Sequence, residues 1–346
     1  MSGQPSSSAP ATLEDVARHA GVSIATASRA LRGMENVAPS TAAAVLSAAT
    51  ELAYRPNAQA RSLRARANRA VAIVLRSLQP WYDREILSAI HTRLFEAGYD
   101  TVAMAAEDPT ILPTGVVGGV TDGRVDGAIV VNQDLQPPTM ERLRGWNVPV
   151  VFVGGREHEG FSSVRIDDKQ VAESATTHLI DAGHTRVALV AGRELSTCAG
   201  SVVAQRRAGY LAAMNAAGIG DQVIEAAGEF TIAGGRAAAA ALLSRARLPS
   251  AIYCMSDYLA VGVIQTLRSL GLTVPGDVAV VGTDGDEIAE LAGLSTVEQP
   301  IDQIGGTAAR LLLTEMAEGA PPERHVMPTR LVIRTSSTSA DGPSTG

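Results

Sequence analysis

The spacing of apolar residues changes near residue 70. Before it, Leu13, Val16, Ala17 and Ala20 fall at i, i+3, i+4 and i+7, one face of a short helix. Ala27, Ala30 and Leu31 mark the inward face of a second helix, predicted from about Ile24 to Leu31, and a third follows Pro39 with Val45, Ala49 and Leu52 facing the same core. From Ala70 onward, short Val/Ile/Ala-rich runs alternate with helical patterns: Val71–Leu75, Gly127–Val131, Val148–Val153, Val187–Val190, Ala251–Met255 and Val278–Gly282. Unbroken apolar runs imply strands buried on both faces, hence parallel sheets. The number of βα units calls for two such sheets. No solenoid-type repeat is evident.

Local signals sharpen the first three helices. Thr12 stands in N-cap position, and Glu14 and Asp15 favour the positive end of the helix it opens. Gly21 ends that helix, and Ser23 is placed to cap the next. Small inward residues let two helices cross closely, as a helix-turn-helix demands. The outer face of the second helix carries Ala25, Thr26, Ser28, Arg29 and Arg32. Arginine can take both major-groove acceptors of guanine at once, while Thr and Ser suit phosphates.

A chain of 346 residues holds one small domain plus one large one, or three small ones. No run of about 18 apolar residues appears, so a membrane span is not expected. The first residues, MSGQPSSSAP, have neither the basic flank nor the apolar stretch of a signal peptide, so a cytoplasmic location is expected. Cys198 and Cys254 are too few for a disulfide framework and lack metal-ligand spacing; both read as reduced cysteines. The net charge of −7 argues against a nucleic-acid partner until its distribution is considered. Through Ala70 there are eight Arg against four acidic residues, a balance of +4 that leaves −11 for the rest. Arg55, Arg61, Arg64, Arg66 and Arg69 follow one another with no acid between. A basic head can approach a phosphate backbone while an acidic body is held off it.

The stretch TLEDVARHAGVSIATASRALRG, then VAPSTAAAVLSAATELAYRPNAQARSLR, resembles the headpiece of the lactose/galactose-repressor (LacI/GalR) family, nearly unbroken from Thr12 to Arg64. The resemblance places Ile24, Ala25 and Arg29 against base edges in the major groove. Ile24 and Ala25 donate no side-chain hydrogen bonds and would read shape or thymine methyls, leaving Arg29 as the main polar reader. Thr12, Ser23, Thr26, Ser28, Tyr54 and Asn57 match positions that hold the sugar-phosphate backbone. Pro56 through Leu63 match the family's hinge helix, which is too short to be stable alone and would form on DNA beside its dimer mate. Leu63 matches a leucine wedged into the minor groove, with Ala60 packed beside it. Unstacking a base step costs a few kcal/mol, regained through contacts in the bent complex.

From Arg69 to about Thr335 the chain resembles the family's two-lobed domain, shared in fold with periplasmic sugar-binding proteins. The matching pieces are VDGAIVV, HLIDAGHTRVALVAG, RRAGYLAAM, SDYLAVG and VPGDVAVVGTD. Ligands of such sheets sit beyond the carboxyl ends of the strands. The resemblance implies effector roles for Asp257, a carboxylate accepting ligand hydroxyl or amine hydrogens, and for Arg206, reaching into the cleft. Phe230, Trp81 and Tyr82 match aromatic positions that stack on rings, and Asp167 matches a lobe-hinge position. Arg76 stands where many sugar-responsive relatives carry a carboxylate, so an anionic ligand or an internal pair with a neighbouring acid is expected. PTGVVGG at 113–119 replaces what should be a good helix, and AGL at 292–294 replaces the usual PPL. His178 and His184 are read as structural rather than metal-binding or catalytic.

The expected fold class is an all-α, lambda-repressor-like helix-turn-helix domain with a hinge helix, followed by an α/β two-lobed periplasmic-binding-protein-like domain with parallel sheets. Expected boundaries are a disordered 1–11, the DNA-binding domain at 12–55, the hinge helix and linker at 56–68, the effector and dimerisation domain at 69–334, and a disordered tail at 335–346. The lobes are expected at about 69–182 with 300–326 and about 183–299 with 327–334. The function implied is a transcription regulator, read as a repressor, that binds a palindromic operator in double-stranded DNA as a homodimer under control of a sugar-like small-molecule effector. A dimer is expected because the end of the chain, RTSSTSADGPSTG, lacks the apolar heptads of the family's four-chain members. No cofactor or metal is expected, and no Ser/His/Asp arrangement, Walker loop or dinucleotide fingerprint supports an enzyme. A sugar-uptake binding protein is the rival reading, and residues 12–64 speak against it.

Overall fold

The computed structural model describes residues 11–31, 37–54, 68–78, 80–106, 112, 114–193, 200–245 and 247–338. The chain divides into two units, Met1–Asn68 and Arg69–Gly346. The expected hinge positions Asn57, Ala60 and Leu63, and Arg32, lie outside the described residues.

The first unit contains α1 (Leu13–His19), α2 (Ile24–Leu31) and α3 (Pro39–Glu51). Thr12 opens α1 with a reciprocal capping box: its hydroxyl accepts the Asp15 N–H at 3.3 Å, and Asp15 Oδ2 accepts the Thr12 N–H at 3.0 Å. Gly21, at φ +66°, turns the chain where an L side chain would be strained. Ser23 Oγ then accepts the Thr26 N–H at 3.1 Å and starts α2. Val16, Ala17, Ala27, Ala30, Val45, Ala48 and Ala49 form the core. Its small side chains let three short helices approach closely.

The second unit is built on two six-stranded sheets, with orders β11-β5-β4-β3-β1-β2 and β12-β10-β9-β8-β6-β7. The strands of the first are β1 (Ala70–Leu75), β2 (Asp100–Ala105), β3 (Gly127–Val131), β4 (Val150–Val153), β5 (Ser162–Ile166) and β11 (Arg324–Met327). Those of the second are β6 (Val187–Gly192), β7 (Ile224–Gly228), β8 (Ala251–Cys254), β9 (Ala279–Asp284), β10 (Ser295–Glu298) and β12 (Arg330–Val332). The first sheet is parallel throughout; in the second, only β12 runs antiparallel, against β10. Central strands β1, β3, β4, β8 and β9 are almost wholly buried, as their unbroken apolar runs require. Register is fixed by pairs such as Val71 with both Thr101 and Gly127.

The intervening helices are α4 (Trp81–Glu96), α5 (Thr114–Thr121), α6 (Pro137–Arg144), α7 (Asp168–Asp181), α8 (Val202–Ala216), α9 (Ile232–Leu243), α10 (Asp257–Ser269), α11 (Glu287–Ala292) and α12 (Ile301–Glu318). Helices α4 and α12 pack together on the first sheet; α7 and α8 pack together on the second. The chain passes between the sheets at 166–168, 298–301 and 327–330.

Three expectations change. The first lobe was placed through residue 182, but α7 packs on β6, β8, β9 and β10, so the crossing falls at Ile166–Asp168. Residues 114–121 are helical despite their glycines, because Val116 and Val120 are buried at i, i+4 spacing. Residues 335–338, expected in a disordered tail, form a turn packed on the second sheet. Ser336 and Ser337 are buried, with Ser336 Oγ donating to Val280 O (2.6 Å) and accepting the Ser295 N–H (2.8 Å). Ser337 Oγ bonds both Ser295 Oγ (2.6 Å) and His178 Nε2 (2.8 Å), so His178 ties α7 to this segment. Cys254 is a buried free thiol in β8.

Candidate functional site

In the first unit, α2 turns its first residues to solvent. Ile24 is 42% exposed, and Ala25 beside it is also exposed. Thr26, Ser28 and Arg29 are half-buried on the same side, and Arg29 Nε donates to the Ala25 carbonyl at 3.2 Å. The hydroxyls of Thr12 and Ser23 lie at the starts of α1 and α2, where backbone N–H groups and the helix dipole attract phosphate oxygens. Tyr54 packs half-buried against the core below them. Ile24, Ala25, Thr26, Ser28 and Arg29 thus lie on α2 and Ser23 at its start, while Thr12 stands at the start of α1 and Tyr54 follows α3.

In the second unit, one cleft collects residues that follow the carboxyl ends of strands from both sheets. Arg76 follows β1; Gln133 and Asp134 follow β3; Arg156 follows β4; Asp168 follows β5. From the second sheet come Phe230 after β7, Met255 and Ser256 after β8, and Asp284 at the end of β9. Trp81 and Tyr82 enter from the first turn of α4, and Arg206 from α8. Phe230 depends on Gly192 at the end of β6: a Cβ there would stand 1.9 Å from the ring.

The charged groups are paired within the cleft. Arg206 Nε donates to Asp168 Oδ1 at 2.8 Å, and its Nη1 donates to Met255 O. Burial works against the Arg206 charge, but Asp168, Tyr253 and Asp284 outweigh it and raise its pKa. Burial raises the pKa of Asp168 against the pull of Arg206. Arg156 Nε lies 3.5 Å from Asp134 Oδ1. Asp83, in the first turn of α4, is pushed up to about 6 by burial, opposed by the Ser77 N–H and by Arg76. Arg76 lines the same cleft and favours the charged form of Asp83. The Tyr82 hydroxyl is held neutral, its pKa raised by burial and then by Asp168 and Asp83. Asp284 has φ +129°, a strained conformation for a side-chain-bearing residue and one that concentrates at functional sites. Burial raises its pKa to about 7, although Arg206 lies near and Gln299 Nε2 donates to its Oδ1 at 2.8 Å.

Two expected effector residues lie elsewhere. Asp257 is fully buried, and its acceptors serve its own chain. Oδ2 takes the N–H groups of Gly285 (2.8 Å) and Asp286 (3.1 Å), and Oδ1 takes the Thr296 hydroxyl (2.7 Å). Asp257 therefore holds the turn that places Asp284 rather than lining the cavity. Asp167 is exposed and caps α7, accepting the Gln170 N–H at 3.0 Å; its neighbour Asp168 is the cleft residue. Sequence reading also missed Asp83, Gln133, Asp134, Arg156 and Asp284. All but Asp83 follow or end a strand, a signal that the strand-end rule supplies once strand boundaries are known.

Comparison with known proteins decides the family. Residues 12–57 match the model for bacterial regulatory proteins of the lacI family, and residues 176–337 match a periplasmic binding protein-like domain. The HTH-type transcriptional regulator CelR of Thermobifida fusca is 35% identical over 338 residues, covering 94% of this chain and 98% of the relative. The chain belongs to the LacI family. The ribose operon repressor of Escherichia coli (strain K12) is 32% identical across 94% of this LacI-family chain and 99% of its own length. Among solved structures, a CelR–cellobiose complex matches 94% of this chain and 99% of its own at 33% identity, with a TM-score of 0.66. A lac repressor dimer bound to operator and the anti-inducer ONPF matches 96% and 100% at 25% identity, with a TM-score of 0.82. This LacI-family protein is a DNA-binding transcription regulator.

Proposed function

We propose that the protein is a homodimeric repressor whose two heads read the halves of a near-palindromic operator, under control of a polar, sugar-like molecule bound in the cleft. The observation that carries this reading is the cleft itself, in which aromatic faces and paired charges from both sheets converge in a chain that also bears a helix-turn-helix head. Ile24 and Ala25 meet base edges by shape, Arg29 supplies the polar readout, and Thr12, Ser23, Thr26, Ser28 and Tyr54 hold phosphates. Asn57, Ala60 and Leu63 keep the hinge roles that the resemblance implies. Trp81, Tyr82 and Phe230 stack on the effector, while Arg76 and Arg206 frame it. Similar solved structures, a lac repressor dimer bound to operator and a CelR–cellobiose complex, support the reading of an effector-controlled DNA-binding dimer.

Closing the cleft changes the angle between the lobes and so decides whether the paired hinge segments form; by linkage, effector and DNA alter one another's affinity equally. The cleft is a binding site, not a reaction site, and the protein works in the cytoplasm. Among the described residues, no helix is long and apolar enough to cross a membrane. A solute-binding role for uptake is disfavoured by the head. Gel-shift titration against genomic fragments, at several salt concentrations and with sugars added, tests the proposal. A specific, salt-sensitive shift that a sugar strengthens or weakens is expected; its absence would sink the reading.

A further inference from the structure

We infer that the effector carries a cationic amine on its polyhydroxyl frame, and that Asp284 is the carboxylate that selects it. This rests on the cleft being the effector site and adds the charge of the ligand that the cleft prefers.

Burial sets the charge balance of the cleft. Among the described residues lining it, Asp83, Asp134, Asp168 and Asp284 are all buried. Of the three arginines there, only Arg206 is buried as deeply, and Asp168 takes its Nε at 2.8 Å. Arg76 is half-buried, and the Arg156 side chain is 41% exposed with its Nε 3.5 Å from Asp134, a pair that solvent screens. Buried carboxylates thus outnumber buried cations, whereas charges taken out of water are ordinarily compensated. A cation brought by the ligand supplies what the cleft lacks.

Unpartnered acceptors give a second, independent sign. Asp284 is 6% exposed; its Oδ1 accepts from Gln299 Nε2 at 2.8 Å, and no described residue donates to its Oδ2. Gln133 is 5% exposed; its Nε2 donates to Val131 O at 3.2 Å, and its Oε1 is buried with no donor. A buried acceptor without a donor is costly, and an ammonium brings three donors and no acceptor. Trp81, Tyr82 and Phe230 add ring faces, which attract cations. Arg206 opposes an ammonium little, because Asp168 already meets its charge and Met255 O takes its Nη1.

The groups around Asp284 are Arg206 from α8, Asp257 from the start of α10, Asp286 in its own turn, and Tyr82 and Tyr253. Burial keeps its proton up to about pH 7 against Arg206 and Gln299, and Asp286 adds repulsion. An arriving ammonium favours the carboxylate form, so binding the amine below that pH sends the Asp284 proton to solvent.

The test titrates the full chain calorimetrically with glucosamine, galactosamine and deoxynojirimycin, each against a neutral counterpart: glucose, galactose and N-acetylglucosamine. Titrations at about pH 6 in two buffers of different ionisation heat count the protons released. At least one amine is expected to bind roughly tenfold more tightly than its neutral counterpart, with proton release. Asp284→Asn is expected to cut that preference roughly tenfold and to abolish the release. A neutral sugar binding as tightly as its amine, or more so, overturns the inference and leaves the effector reading standing. Preference and proton release that persist in Asp284→Asn overturn the assignment of Asp284. If no compound binds while the gel shift still shows operator binding, the sugar-effector reading fails and this inference with it.

Discussion

Arg206 Nε lies 2.8 Å from Asp168 Oδ1, and both side chains are only 6% exposed. Asp168 begins α7, immediately after the chain leaves the first sheet, while Arg206 belongs to α8 and also donates to Met255 O beyond β8. The pair therefore joins the crossing to the floor of the second lobe. Removing one member of a buried pair strands the other charge, which costs about 3–5 kcal/mol. Arg206→Leu is expected to lose stability of that order in urea denaturation, and adding Asp168→Asn should recover part of it. Equal midpoints for parent and Arg206→Leu would refute the pairing.

Asp257→Ala should destabilise the second lobe although Asp257 touches no cavity. It leaves the Asp286 N–H and the Thr296 hydroxyl without their acceptor, and the Gly285 N–H with only Thr296 Oγ1 at 3.3 Å. At about 1–3 kcal/mol for each buried unsatisfied group, a loss of at least about 2 kcal/mol is expected. Asp257→Asn, which keeps one acceptor oxygen, should lose less. Chemical denaturation measures both, and a neutral Asp257→Ala would disprove the anchoring role.

Stability should also respond to pH through the cleft acids. In the folded chain Asp284 keeps its proton up to about pH 7 and Asp83 up to about pH 6, both held there by burial. Unfolded aspartates titrate near about 3.9. Between those values the folded state binds more protons, so raising the pH removes stability, and the loss is complete above about pH 7. The parent is expected to weaken relative to Asp284→Asn as pH rises from 5 to 8. Parallel stability profiles would count against a buried, proton-retaining Asp284.

Arg29→Ala should relax base preference at one operator position by about 1–3 kcal/mol while leaving the head folded, since Arg29 lies outside its core. Competition gel shifts with single-base operator variants measure this. Unchanged discrimination would remove Arg29 from the reading face.

Ser336→Ala removes the hydroxyl that joins the Ser295 N–H to Val280 O. A destabilisation of about 1–3 kcal/mol is expected from the group left unsatisfied, measured by thermal unfolding. A silent substitution would mean that the terminal segment contributes little to the second sheet.

The head could be read from sequence because its determinants are local: a hydroxyl at each cap, glycine in the turn, and small residues at helical spacing. Six buried strands were equally plain as unbroken apolar runs, with errors at their ends, but β5 (SSVRI) and β10 (STVE), buried with polar residues among them, were not. Val148 was assigned to a strand that begins at Val150, beyond Pro149. Choosing between neighbouring carboxylates was harder. Asp167 and Asp168 differ by one step around the start of a helix, which decides whether the side chain caps the helix or enters the cleft. Asp257 and Asp284 both follow the logic of strand ends, but the backbone turn at Asp284 sends it to the cavity while Asp257 serves the turn. The serines at 336 and 337 looked like solvent-exposed tail because their hydroxyls satisfy partners more than forty residues away in sequence, at Ser295, Val280 and His178.

Because the polypeptide changes sheets three times, neither half of the second unit is encoded by one uninterrupted stretch. A fragment stopping at Ile166 would lack β11 and the α12 covering of its own sheet; one starting at Asp168 would carry those pieces with no sheet to receive them. Exchanging a half as one continuous segment would therefore part a sheet from pieces that complete it, whereas changing side chains around the cleft leaves both sheets whole.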